Sequence, residues 1–127
     1  MIAVDTSALM AIVLDEAPAA TCRAVLETED ELVISAGTIA EALIVATRRN
    51  FGEEMTQLID RLGFNAVAVT PAAARRIALA YQRWGKGSHA AGLNFGDCYA
   101  YDVAKEHDCP LLFIGEDFAR TDLKSAL

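Results

Sequence analysis

The segment Ile2-Ala3-Val4-Asp5-Thr6-Ser7-Ala8-Leu9 decides how the rest of the chain is interpreted. Its first three residues form a short apolar run that is typical of a buried strand, and Thr6-Ser7 then open a segment with helical spacing. Asp5 lies at the junction, where an acidic residue directly follows the strand. The segment therefore predicts a strand, an acid at its carboxyl end and a helix, which together begin an α/β unit.

The same alternation of strands and helices continues along all 127 residues. Apolar runs predict strands at Ile2–Val4, Leu32–Ile34, Ala66–Val69 and Leu111–Ile114. Helical spacing predicts helices at Ser7–Leu14 (with Ser7 as cap), Pro18–Glu27, Ser35–Arg49, Glu53–Leu62, Pro71–Trp84 and Gly96–His107. Strands that alternate with helices imply a mainly parallel sheet covered on both faces, so we expect one α/β domain over residues 1–127.

Composition excludes several classes of protein. With 54% hydrophobic residues the chain is too apolar to be disordered, and no apolar run approaches the roughly 20 residues that span a bilayer. Cys22, Cys98 and Cys109 are odd in number and lack CxxC spacing, so neither a disulfide framework nor a cysteine zinc site is predicted. The first residues carry no basic leader, and we expect a cytoplasmic protein without a membrane association.

Charge is distributed unevenly along the chain. The net charge is −7, yet no acid occurs between Arg61 and Gly96, a segment with five basic residues. A protein that is acidic overall can still present one positive face to an anionic partner. Either the segment is a solvated helix face, or it contacts RNA, with Trp84 stacking on a base rather than lying in the core. The candidate RNA contacts are Arg75, Arg76, Arg83 and Lys86.

Four acids lie where predicted strands end or predicted helices begin. Asp5 and Asp117 follow strands, Asp97 opens a helix after a glycine, and Glu41 is the only charged residue of the segment 35–47. Taken singly, Asp5 and Asp97 are explained as helix caps and Asp117 as a turn residue. Glu41 is harder to explain, because its apolar neighbours predict a mostly buried helix, in which an unpaired carboxylate is costly.

Taken together, the four acids predict a metal site. Ligands of open parallel sheets bind beyond the carboxyl ends of the strands, and carboxylates gathered there repel one another until a cation binds. Oxygen ligands without His or Cys favour Mg²⁺ or Mn²⁺. An acidic metal cleft beside an acid-free basic segment is the arrangement expected of a phosphodiesterase that acts on nucleic acid.

At these residues the chain resembles a PIN-domain ribonuclease, specifically a VapC-type toxin of a bacterial toxin–antitoxin pair. The resemblance covers the whole chain and rests on four stretches in order. These are Ile2–Leu9, the lone helical Glu41, Gly92–Cys98 and Leu111–Phe118. It implies a PIN-like three-layer α/β/α sandwich around a central, mainly parallel sheet.

The resemblance also implies roles for individual acids. Asp5, Glu41 and Asp97 match the three family acids that bind Mg²⁺ or Mn²⁺. Asp117 is the choice for a fourth acid, and Glu116 is its substitute. The same four positions, Asp5, Glu41, Asp97 and Asp117, are therefore the predicted catalytic and metal-binding residues.

Activity and partners follow from the same resemblance. The activity would be metal-assisted hydrolysis of RNA, with a structured RNA such as a tRNA or ribosomal RNA as substrate. Thr6 or Ser7 matches a hydroxyl that supports the first acid or a metal-bound water. A cognate VapB-type antitoxin would cover the cleft, and homodimers are usual in the family.

Two other classes of protein remain open. A haloacid-dehalogenase-like phosphatase also begins with a strand and an aspartate, but its D-x-D signature requires an acid where this chain has Ser7. A non-catalytic RNA- or protein-binding module would use the acids only as caps. That alternative predicts no metal dependence, and it leaves Glu41 unexplained.

Overall fold

The computed structural model describes residues 1–127. Its strands are β1 (Ile2–Val4), β2 (Leu32–Ser35), β3 (Asn65–Val67) and β4 (Leu111–Leu112). Its helices are α1 (Thr6–Val13), α2 (Ala19–Thr28), α3 (Ala36–Arg48), α4 (Gly52–Leu62), α5 (Pro71–Trp84) and α6 (Phe95–Glu106), followed by a short 3-10 helix at Phe118–Arg120. The predicted order of elements is confirmed. None of the helices has the length and apolar character needed to cross a membrane.

The four strands form one parallel sheet in the order β3-β2-β1-β4. Strand β1 is central, pairing Ile2 with Leu32 of β2 and Val4 with Leu112 of β4. The chain builds the sheet outward from β1 through β2 to β3 and then returns to the other side of β1. The strand order therefore reverses between β1 and β4, and such a reversal is where open α/β sheets bind ligands.

Helices cover both faces of the sheet, which confirms the three-layer α/β/α arrangement. Successive strand residues point to opposite faces. Ala3 and Val33 pack in the core that contains the buried side chains of α5 and α6. Val4 and Ile34 pack in the second core, with residues of α1 to α4. The alternation explains why β1 and the first three residues of β2 are all apolar.

Helix α3 departs from its prediction as a mostly buried element. Its buried residues are Thr38, Ala42 and Ala46, which lie on one stripe, while Ile44 is 59% exposed and Val45 36% exposed. Residues spaced four apart share a face of a helix, so a core-facing stripe requires only these small side chains. Ile39 and Leu43 pack partly buried beside this stripe, whereas Ile44 and Val45 face solvent.

Two local interpretations are corrected or decided by the structure. The cap of α1 is Asp5 rather than Ser7, because an Asp5 side-chain oxygen accepts the Ser7 N–H and the helix begins at Thr6. Trp84 is a core residue that is only 8% exposed. Its indole N–H donates to the Tyr101 hydroxyl at 3.0 Å.

The ends of two strands also differ from the prediction. Strands β3 and β4 end two residues earlier than predicted.

Candidate metal centre

The elements of the fold carry the four predicted acids to the carboxyl edge of the sheet. Asp5 follows β1, and Asp117 lies after β4, where the 3-10 helix begins. Glu41 lies in the second turn of α3, which starts directly after β2, and Asp97 lies in the first turn of α6. These acids act on one another: the charges of Glu41 and Asp97 both raise the pKa of Asp5.

Asp5 has the most unusual environment of the four acids. It is 3% exposed, and its Oδ2 accepts the Ser7 N–H at 3.0 Å. Its Oδ1 is buried without any hydrogen-bond partner. Burial raises the pKa of Asp5 to about 7, against the opposing hydrogen bonds of Ser7 and with the added repulsion of Asp97 and Glu41. A cap requires only one of these oxygens, so capping does not account for the buried second oxygen.

Asp97 is both a cap and a member of the acidic cluster. The Asp97 N–H donates to Asn94 Oδ1 at 2.8 Å, and the Asn94 N–H donates to Asp97 Oδ2 at 2.9 Å, which forms a reciprocal capping box. Burial still raises the pKa of Asp97, and the charges of Glu41 and Asp117 raise it further. The Asn94 hydrogen bond and the positive charge of Lys86 act in the opposite direction.

Glu41 joins the site through a hydrogen bond and a close approach to α6. The Thr6 hydroxyl donates to Glu41 Oε1 at 2.6 Å. A Cβ at position 96 would collide with the Glu41 carboxylate, so the glycine there is what allows this carboxylate to lie against the start of α6. Gly37 plays the matching role for Tyr99, whose ring would meet a Cβ at position 37. Sequence reasoning treated Gly96 only as a loop glycine, and no pattern within the chain signals these approaches.

The end of β4 is tied to the start of α1. The Ser7 hydroxyl accepts the Ile114 N–H at 3.0 Å, and it also lowers the pKa of Asp5 through a hydrogen bond. Asp117 and Glu116 are both exposed. The charge of Asp117, and not that of Glu116, is among the causes that raise the pKa of Asp97. This difference favours Asp117 as the fourth acid.

The residues of the cluster fit a hard divalent cation. An unpartnered buried carboxylate oxygen beside two like charges is unfavourable, and a bound cation would remove both problems. The donor set consists of oxygens alone, which suits Mg²⁺ or Mn²⁺. No group of three or more His, Cys, Asp or Glu side chains is arranged so that it could hold a metal ion. Mg²⁺ does not require such a group, because it keeps several waters and binds through one or two carboxylates.

Two of the candidate RNA contacts are engaged within the protein. Arg76 forms a two-pronged pair with buried Asp102, with Nε–Oδ1 at 2.7 Å and Nη2–Oδ2 at 3.2 Å, and a further ion pair with Glu106 at 3.2 Å. The guanidinium of Arg83 lies 4.5 Å from the ring centre of Trp84. These residues line one groove between α5 and α6, on the outer side of that layer.

The other two candidates are free. Arg75 and Lys86 are exposed, and neither forms an ion pair within 4.0 Å. Of the four basic residues, Lys86 is the one whose charge acts on the acidic cluster, through Asp97. The basic segment therefore does not act as a single surface.

Comparison with known proteins identifies the family. The family model described as the PIN domain matches residues 2–124. The chain belongs to the PIN-domain family. This PIN domain also has full-length relatives that are named ribonucleases. Ribonuclease VapC36 of Mycobacterium tuberculosis is 43% identical over 126 residues, covering 95% of this chain and 90% of the relative. Ribonuclease VapC of Mycolicibacterium smegmatis is 41% identical over 124 residues, covering 94% and 95%.

Solved structures show the same fold. Mycobacterium tuberculosis VapC20, described as a Sarcin-Ricin loop cleaving toxin, superposes with a TM-score of 0.80 at 16% identity, covering 97% of this chain and 96% of that one. A toxin–antitoxin complex from Klebsiella pneumoniae gives a TM-score of 0.71 at 20% identity, covering 96% and 93%. The relatives place this PIN domain in the VapC group of ribonucleases. The phosphatase and the non-catalytic module find no support among them.

Proposed function

We propose that this PIN domain is a metal-dependent endoribonuclease, the toxin of a VapBC-type pair, and that its catalytic residues are Asp5, Glu41, Asp97 and Asp117. The observation that carries the proposal is the buried Oδ1 of Asp5, which has no partner and faces the like charges of Glu41 and Asp97. Such an arrangement is unfavourable for folding, and a bound cation would compensate for it. The ribonuclease names of the relatives agree with it.

Hydrogen bonds within the protein hold three of the proposed metal ligands in fixed orientations. Asp5, Glu41 and Asp97 would hold Mg²⁺ or Mn²⁺, with Asp117 as the fourth acid. The Ser7 N–H fixes the orientation of the Asp5 carboxylate, and the Thr6 hydroxyl fixes that of Glu41. When bound, a divalent cation polarises a phosphoryl oxygen and lowers the pKa of a coordinated water. The capping box holds Asp97 in place without contributions from the substrate.

The substrate and the inhibitor are proposed from the relatives. VapC20 is described as a toxin that cleaves the Sarcin-Ricin loop, so we propose a structured RNA, a ribosomal RNA or a tRNA, as the substrate of this chain. The Klebsiella neighbour is a toxin–antitoxin complex. A cognate VapB-type antitoxin that covers the acidic cleft is the corresponding partner here, with an arginine placed among the acids as its means of neutralising them.

A second copy of the chain is the proposed occupant of an exposed apolar face. Two grooves of about 320 Å³ each adjoin one another and share Phe95 and Tyr99. Phe95 is 66% exposed, and Ile44 and Tyr81 are exposed on the flanking helices. An apolar patch that continues from α3 to α5 is typical of a protein interface. The face borders Glu41, so the proposed dimer would place two acidic clefts near its interface.

The nuclease proposal is tested by cleavage of total bacterial RNA with purified, antitoxin-free protein. We expect discrete fragments with Mg²⁺ or Mn²⁺ and none with EDTA. Asp97→Asn should reduce the cleavage rate by at least about 10²–10³-fold, because it removes one charged ligand. Asp108→Asn is the matched control, since Asp108 is an exposed acid beyond the other end of α6 and its φ of 47° suits asparagine. Equal loss in both variants, or cleavage in EDTA, contradicts the proposal.

The dimer proposal is tested by light scattering coupled to gel filtration. We expect the wild-type chain to have twice the 13.6 kDa of one copy, and Ile44→Glu to be a monomer. Leu79→Glu is the control, because Leu79 is 63% exposed but lines the groove on the other side of α5. A monomeric wild type, or dissociation by Leu79→Glu alone, excludes this interface.

A further inference from the structure

The connection between α5 and α6 holds Lys86 in a fixed position. The Lys86 N–H donates to the Leu93 carbonyl at 3.0 Å, and the Leu93 N–H donates to the Trp84 carbonyl at 3.0 Å. Leu93 directly precedes Asn94, the cap of α6. The hydrogen bond to Leu93 therefore holds the backbone of Lys86 close to the start of α6, where Asp97 lies. Gly85 permits this path, since a Cβ at position 85 would collide with the Tyr81 carbonyl oxygen.

The Lys86 ammonium has unused hydrogen-bonding capacity. The side chain is exposed and forms no hydrogen bond or ion pair in the structure. Its charge nevertheless acts on Asp97. Lys86 forms no direct ion pair with Asp97, in contrast to Arg76, which pairs with Asp102 at 2.7 Å. The three donors of Lys86 are instead open to a group that arrives from solvent.

We propose that the Lys86 ammonium binds a non-bridging phosphate oxygen of the RNA strand that enters the acidic cleft, and that it positions the scissile bond beside Asp97. This inference rests on the proposed ribonuclease function. It assigns the contact to Lys86 and not to Arg76, which pairs with Asp102, or to Arg83, which lies over the Trp84 ring in the same groove as Arg76. A compact ammonium on a flexible stem suits a phosphate as a point charge.

Steady-state kinetics of Lys86 variants distinguish a residue that binds the substrate from one that only orients the acidic side chains. In cleavage assays, Lys86→Met should raise KM about tenfold, while kcat changes less than about threefold, because a phosphate contact made before and during the reaction is uniform binding. Lys86→Arg should restore KM. Lys124→Met is the matched control, since Lys124 is another exposed lysine without an ion pair. It lies near the opposite end of β4, where its carbonyl accepts the Leu111 N–H.

A second readout does not depend on turnover. The Asp5→Asn chain, which should not cleave, binds a fluorescein-labelled single-stranded RNA oligomer, and anisotropy measures its affinity over a range of NaCl concentrations at fixed Mg²⁺. Each lost phosphate contact makes the slope of log K against log salt shallower by about 0.7. We expect that change when Lys86→Met is added and none when Lys86→Arg or Lys124→Met is added.

The outcomes separate this inference from the nuclease proposal. An unchanged salt slope with Lys86→Met, or no measurable RNA binding by the Asp5→Asn chain, overturns the phosphate contact. A lower kcat with unchanged KM also overturns it, because it would show that Lys86 acts through the acids. If the wild-type chain cleaves no RNA but the slope still changes by about 0.7, the contact stands and the ribonuclease function fails.

Discussion

Asp5 and Asp102 are both buried aspartates, with 3% and 6% exposure, but their carboxylates have different hydrogen-bond partners. Asp102 receives two hydrogen bonds from the guanidinium of Arg76, one to each oxygen. Asp5 receives a backbone hydrogen bond on one oxygen, while the other oxygen has no partner and the nearby charges are negative. Burial alone therefore does not distinguish these two aspartates, whereas the partner of each carboxylate does.

Helix α6 contains both kinds of acid. Asp97 and Asp102 are five positions apart, which turns their side chains by about 140° around the helix axis. Asp97 belongs to the cleft at the carboxyl edge of the sheet, and Asp102 joins α6 to α5 through Arg76. The Arg76–Asp102 pair therefore joins α5 to the helix that carries Asp97.

The largest expected effect concerns the pH dependence of stability without metal. Because the pKa of folded Asp5 is raised from 3.8 to about 7, the folded state holds this proton more tightly than the unfolded state. Stability from this group is present at low pH and is lost as the pH rises from about 4 to about 7. The loss should amount to up to about 4 kcal/mol. Roughly 2.5–3 kcal/mol of this loss should fall between pH 5 and pH 8, and urea unfolding in EDTA at these two pH values measures that part.

The matching variant isolates the contribution of Asp5. Asp5→Asn keeps an oxygen that can cap α1 and removes the titrating group, so its free energy of unfolding should decrease less between pH 5 and pH 8. Without metal at pH 8 the variant should be more stable than the wild type. Equal pH dependence of the two proteins would show that the Asp5 carboxylate is not destabilised by its surroundings.

Addition of a divalent cation should remove the destabilisation caused by the unpartnered Asp5 carboxylate. A cation that binds the folded state at 100 times its Kd stabilises it by about 2.7 kcal/mol, which corresponds to roughly 10 °C in Tm for a chain of this size. We expect Mg²⁺ or Mn²⁺ to raise the Tm of the wild type and to have much less effect on Asp5→Asn, as measured by calorimetry at pH 8. Similar shifts in both proteins would place the binding site elsewhere.

The smallest expected effect comes from breaking the paired acid. Arg76→Met should lower the free energy of unfolding, but by less than the loss of a fully buried pair, because the Arg76 side chain is 39% exposed. Adding Asp102→Leu to Arg76→Met should recover most of the loss, since no buried charge then remains unpaired. Urea unfolding of the single and double variants checks this, and a double variant weaker than Arg76→Met would contradict it.

The sequence was sufficient to predict elements and acids that depend on local patterns. Asp5 and Asp117 follow apolar runs, and Pro71 marks the start of α5, so these features could be read from neighbouring residues. Helix α3 was misjudged because its composition is apolar on every side, and composition does not show which stripe faces the core.

Features that depend on tertiary contacts could not be predicted. Arg76 and Asp102 are separated by 26 positions, and nothing in either segment indicates their pairing. The division of the basic segment, with Lys86 near the acids and Arg76 outside them, follows from how α5 packs on α6. Asp5 was recognised as a candidate acid, but its unpartnered oxygen is visible only once the surrounding side chains are in place.

The close approach of Glu41 to Gly96 has a practical consequence for handling a toxin. A single methyl group at position 96 would occupy the space that the Glu41 carboxylate needs. Gly96→Ala would therefore displace this acid while leaving every charged residue and the isoelectric point of the chain unchanged. We expect such a chain to be less active than the wild type and easier to produce in host cells, with the same net charge.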